Sequence, residues 1–134
     1  MRAERPRPLP TLIAIWLAVW LSAGALITGL DLLLHVLPMR YPAFQHLHSA
    51  SLSAHVLWIV SGLAGMVCAY LLFVRPVVGV PFALVFAVLY VIAAPMIWRQ
   101  FTFGCWAAMT TPLLACLGNW RTRRASRSVN GDPT

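Results

Sequence analysis

From Leu52 to Trp120 the chain carries two charged side chains, Arg75 and Arg99, and they cut an otherwise apolar stretch into three pieces of similar length. A fourth run, Thr11 to Leu30, has no charge at all. A transmembrane helix needs about 20 mostly apolar residues to cross a hydrocarbon layer about 30 Å thick. Each piece meets that length. Inside a bilayer no water can satisfy exposed backbone groups, so helices are the only form open to such segments. Two residues or fewer in each connection, Arg75-Pro76 and Arg99-Gln100, force successive helices to lie antiparallel and adjacent. The sequence therefore predicts an all-α integral membrane protein: an antiparallel four-helix transmembrane bundle with short loops. The expected spans are 11–37, 52–74, 77–98 and 101–120 within one domain, 11–120. Pro81, Pro95 and Pro112 are expected to bend helices and not to end them.

Composition agrees. The 134 residues are 60% hydrophobic and 10% charged, against roughly a quarter charged in soluble domains. All ten basic residues are arginines, and the absence of lysine fits a GC-rich bacterial genome. The net charge of +7 sits at the ends of apolar segments and forms no nucleic-acid-binding face, so nucleic acid is not an expected partner. Arg2, Arg5, Arg7, Arg75, Arg121, Arg123, Arg124 and Arg127 fall on one side of the four spans, and Arg40 and Arg99 on the other. The positive-inside bias then places residues 1–10 and the tail 121–134 in the cytoplasm of a bacterial-type inner membrane. It places the loop 38–51 on the exoplasmic side. The polar tail is expected to be disordered, with Arg121, Arg123, Arg124 and Arg127 resting on anionic lipid headgroups at about 1 kcal/mol each. A competing reading makes the start a secretory signal cleaved near Ala23-Gly24-Ala25. The apolar run is too long for that and continues past the site.

Small residues recur at four-residue spacing: Ser61, Gly65 and Ala69; Ala107, Thr111 and Ala115; Ala83 and Ala87; Ala25 and Gly29. Such stripes let membrane helices approach closely, and packing within the chain is favoured over oligomerisation as their use. Trp58, Trp98, Trp106 and Trp120 lie near span ends, where indole rings favour the membrane interface. Trp16 and Trp20 lie deeper, facing lipid or a neighbour.

All four histidines fall in "DLLLHVLPMRYPAFQHLHSASLSAH", Asp31 to His55. Asp31 lies about 30 Å along the first helix from Thr11, at the outer edge of the hydrocarbon. Thr28, Asp31 and His35 form a polar stripe there, and an ionisable group at that depth should turn inward. Pro38 and Pro42 turn the chain, Ser49 or Ser51 is placed to cap the second span, and His55 sits one turn inside it. His35 and His55 approach the same face from neighbouring helices, and Cys105 and Arg99 belong to that side.

Three functional readings follow. Asp31, His35, His46, His48 and His55 offer ligands for a divalent transition metal, although no compact HxxxH or HExxH motif is present. His35 or His48 with His55 could ligate a haem b between adjacent helices. "HLHSASLSAHVLWIVSGLAG" resembles the histidine-led helices of cytochrome-b-type respiratory subunits, but under a fifth of the chain takes part. It lacks their second histidine deep in a facing helix, and the chain is not assigned to that family. Thirdly, the cluster could relay protons or meet a quinone headgroup. The plain reading is that the imidazoles fill an exoplasmic loop and Asp31 pairs with Arg40 or Arg99.

Of the three cysteines, Cys68 is a core residue, Cys116 a free thiol and Cys105 a possible addition to a metal site. There is no Gly-rich phosphate loop, nucleophile elbow or carboxylate pair. A coupled transporter would keep ionisable groups near the midplane, and none is there. The expectation is a small subunit, anchor or assembly factor of a larger membrane complex, not an enzyme on its own. The alternative is a metal- or haem-binding membrane protein.

Overall fold

The computed structural model describes residues 7–34 and 49–129. Four helices account for nearly all of them: α1 (Leu9–Leu34), α2 (Leu52–Val74), α3 (Pro76–Trp98) and α4 (Phe103–Val129), with no strand among the described residues. Three stretches, Leu9–Asp31, Leu52–Val74 and Pro76–Trp98, are long and apolar enough to cross a membrane by length and composition.

Local chemistry explains the boundaries. Pro10 sits in the first turn of α1, where its missing N–H costs nothing. Ser51 begins α2: its Oγ accepts from the Ala54 amide at 3.3 Å. Arg75 closes α2 and opens α3, and Pro76 supplies the preset φ of the first helical residue. Arg99 ends α3 in the left-handed conformation (φ 54°), with its amide on the Pro95 carbonyl at 2.9 Å. The helices run through Pro81, Pro95 and Pro112, as expected.

The fourth helix differs from the expected span at both ends. The fourth helix does not stop at Trp120; α4 continues through Val129. The polar tail expected to be disordered is helical as far as Val129, because Arg and Ala are good helix formers and no Gly or Pro interrupts residues 119–129. At its other end, α4 starts at Phe103 instead of 101, because the Cys105 amide takes the Thr102 carbonyl at 3.0 Å.

α1 packs on α2, α2 on α3, α3 on α4 and α4 back on α1. Contact positions show the direction: on α1 and α2, Ser22 meets Gly65, Leu26 meets Gly62 and Gly29 meets Ile59. As one number rises the other falls, so the helices are antiparallel. Phe86 against Gly65 and Gly79 against Leu72 show the same for α2 and α3.

The interior is made of small residues. Alanine dominates it (Ala14, Ala18, Ala25, Ala83, Ala93, Ala94, Ala108), with Trp58, Tyr90, Phe86, Leu72 and Ile97 as the few large side chains enclosed. Every small-residue stripe named above is buried within this one chain. Gly65 shows why: a Cβ there would collide with Ser22 of α1 and come within 2.7 Å of the Phe86 ring of α3. Large apolar side chains point outward instead, as with Trp16 (74% exposed) and Phe103 (78%). Buried small and exposed large is the reverse of a water-soluble helical core, which hides its biggest apolar groups.

Candidate functional site

One end of the bundle gathers the polar and aromatic side chains. Thr28 on α1 and Trp58 on α2 join there: indole Nε1–H donates to Thr28 Oγ1 at 2.8 Å. Thr28 Oγ1 donates in turn to the Gly24 carbonyl at 2.7 Å, so its lone pairs are left to receive the indole. A threonine back-bonded to its own helix loses little rotamer freedom, and the bond pins α1 to α2 at this level.

Trp58, expected near a span end, is 2% exposed and lies inside the bundle, with its ring turned toward the neighbouring helices. Its helical face explains this: Ala54, Trp58, Ser61 and Gly65 recur at three- and four-residue spacing and are all buried. The indole ring lies 5.0 Å from Tyr90 of α3, and Tyr90 lies 5.8 Å edge-on from Phe86. These distances are typical of favourable aromatic pairs.

Tyr90 carries the contact onward to α4. A Cβ on Gly104 would lie 2.7 Å from the Tyr90 hydroxyl, so only glycine leaves room for that hydroxyl. Next to it, Cys105 is fully buried, with Sγ 3.7 Å from Thr102 Oγ1. Three side chains, Thr28, Trp58 and Tyr90, thus run from α1 to the backbone of α4 at Gly104.

Asp31 and His55 lie three residues from Thr28 and Trp58 respectively, each one turn closer to the same end of the bundle. Asp31 is 3% exposed, as the inward-facing stripe requires, and His55 is half-buried. Arg99 Nη2 donates to Ser49 Oγ at 3.3 Å at this end. His35, His46, His48 and Arg40 lie outside the described residues. Of the five proposed metal ligands, the structure therefore places Asp31 and His55 only. Among the described residues no three His, Cys, Asp or Glu side chains come together to hold a metal ion. Cys105 is enclosed next to Thr102, Cys68 is a fully buried core residue and Cys116 is an exposed free thiol.

Two hollows flank this frame. A crevice of about 330 Å³ opens beside Trp20, Gly24 and Ile27 of α1 and reaches Tyr90. A larger apolar groove of about 820 Å³ runs between the outer faces of α3 and α4. Neither brings acid–base pairs together.

Sequence reasoning overlooked Tyr90. The signal was present: Ala83, Phe86, Ala87, Tyr90 and Ala94 share one face of α3, and that face is buried.

No protein-family model, no curated protein and no solved structure matches this chain. The chemistry of the site therefore stands on its own residues.

Proposed function

We propose that this protein is a multi-pass inner-membrane protein of bacterial type, with four crossings. The arginine-rich segment before α1 and the arginine-rich C-terminal turns of α4 face the cytoplasm, and the Asp31–His55 end faces outward. In that membrane it serves as a non-catalytic subunit, anchor or assembly factor of a larger complex.

The observation that carries the reading is the inverted packing: small residues fill the interior while large apolar side chains cover the outside. In water this surface would be an aggregation site, since exposed apolar patches on soluble monomers rarely exceed a few hundred Å². In lipid it costs nothing, because lipid tails are as apolar as leucine. The chain Thr28–Trp58–Tyr90 supports a scaffold role: one hydrogen bond and one ring contact tie α1, α2 and α3 to each other.

Native electrophoresis of membranes solubilised in a mild detergent tests the role. The protein is expected to migrate with a larger complex, and deleting it should lower the amount of that complex without changing the activity per assembled complex. Migration as a free 14.8 kDa chain, with every membrane complex intact after its deletion, would contradict the proposal.

A further inference from the structure

The α3–α4 groove has a floor and walls of hydrocarbon, with Leu84, Val88 and Ile92 on one side and Met109 and Leu113 on the other. Its one hydroxyl, on Thr110, is already donated to the Ala107 carbonyl at 2.8 Å. A polar ligand would find nothing there. From Val80 to Ile92 the groove follows α3 for about 18 Å at ~1.5 Å per residue. One leaflet of a bilayer has about 15 Å of hydrocarbon, half of the whole layer.

The two ends differ. Trp106 stands beside Ile92 at one, and Cys116 beside Val80 at the other. Beyond Cys116 the groove face of α4 continues, by helical spacing from Leu113, through Trp120 and Arg124. The Arg124 guanidinium lies 3.7 Å over the Trp120 ring. Tryptophan prefers the headgroup level, so the pair holds a cation where a groove-bound hydrocarbon would surface. Arg75, at the α2–α3 turn, adds a second exposed charge near that end.

A transmembrane helix is a poor occupant. Helices associate in lipid through small residues, and this chain's small-residue stripes are all consumed inside the bundle. The groove walls are bulky. A second copy related by a two-fold axis along the membrane normal would bring two arginine clusters side by side.

We infer that the α3–α4 groove is a binding site for one anionic phospholipid: an acyl chain lies along Leu84, Val88 and Leu113, and the headgroup phosphate meets Arg124. This rests on the membrane reading given under Proposed function.

The full chain is reconstituted into vesicles of phosphatidylglycerol and phosphatidylcholine in equal amounts, washed with alkaline carbonate, released in mild detergent and weighed by native mass spectrometry. The expected result is one retained lipid per chain, with phosphatidylglycerol preferred roughly fivefold for an engaged arginine. Arg124→Gln should keep a bound lipid while the preference falls toward the vesicle ratio. Leu113→Trp and, from the opposite wall, Leu84→Trp should each lose the lipid while circular dichroism still shows the helices. Four results overturn the inference in a protein that stays with the vesicles: no bound lipid, a bound lipid with no anionic preference, a lipid retained by both tryptophan variants, or a dimer that Leu113→Trp splits. If carbonate strips the protein from the vesicles, the membrane reading itself fails and the groove assignment falls with it.

Discussion

Trp58 is the residue on which the packing of the polar end turns, because its indole both donates to Thr28 and packs at a tilt against Tyr90. Trp58→Phe keeps a ring and removes the N–H. Interhelical hydrogen bonds in membrane proteins average about 0.6 kcal/mol, with a maximum of about 1.7. A loss in that range is expected from unfolding titrations in mixed detergent. Thr28→Val should cost a similar amount, and the double variant less than the sum of the two. Ser22 is the opposite case. Its hydroxyl is fully buried and meets no hydrogen-bond partner among the described residues, so Ser22→Ala should leave stability unchanged or raise it by up to about 1 kcal/mol. Gly65→Val forces a branched side chain against Ser22 and Phe86 and should destabilise by about 1–3 kcal/mol in the same titration. The inward turn of Asp31 was legible in the sequence, since only a buried or watered face tolerates a carboxylate at that depth. The burial of Trp58 was not, because a rule about indoles at span ends reads position along the helix and ignores which face the residue occupies. The alanine and glycine spacing on its own helix held the better signal.

At the scale of elements, α2 shows how far local chemistry reaches. Its limits, Leu52 and Val74, agree with the expected span, since a serine cap precedes it and Arg75-Pro76 follows. Ser51→Ala should cost about 0.5–1 kcal/mol and speed hydrogen exchange at the Ala54 amide, whose acceptor it removes. Unchanged exchange there would mean that water already satisfies the first turn. α4 was less legible. Its start depends on a single turn bond from Cys105 to Thr102, and its end depends on propensity where the apolar pattern has already stopped. An apolar count therefore ends the helix too early. The histidine cluster is the part of the site that sequence placed by number alone: His55 lies on the expected turn of α2, while His35, His46 and His48 fall outside the described residues.

For the whole molecule, the number of crossings depends on α4. Three stretches qualify as spans by length and apolarity, and α4, which carries Asn119 and the arginines, is not among them. Yet α4 packs on both α3 and α1 and closes the ring, with Gly118 against Thr11 at the arginine-rich end and Gly104 against Tyr90 at the other. In the proposed topology α4, held along its length by α1 and α3, crosses with them, since leaving would expose the small-residue faces of all three. The most direct test is a pair of reporter fusions, one ahead of α1 and one after Val129, each carrying a fluorescent protein that folds only in the cytoplasm and a phosphatase active only outside it. Four crossings predict fluorescence without phosphatase activity at both positions. Fluorescence ahead of α1 with phosphatase activity after Val129 would mean that α4 stays out of the membrane, and would contradict the four-helix account.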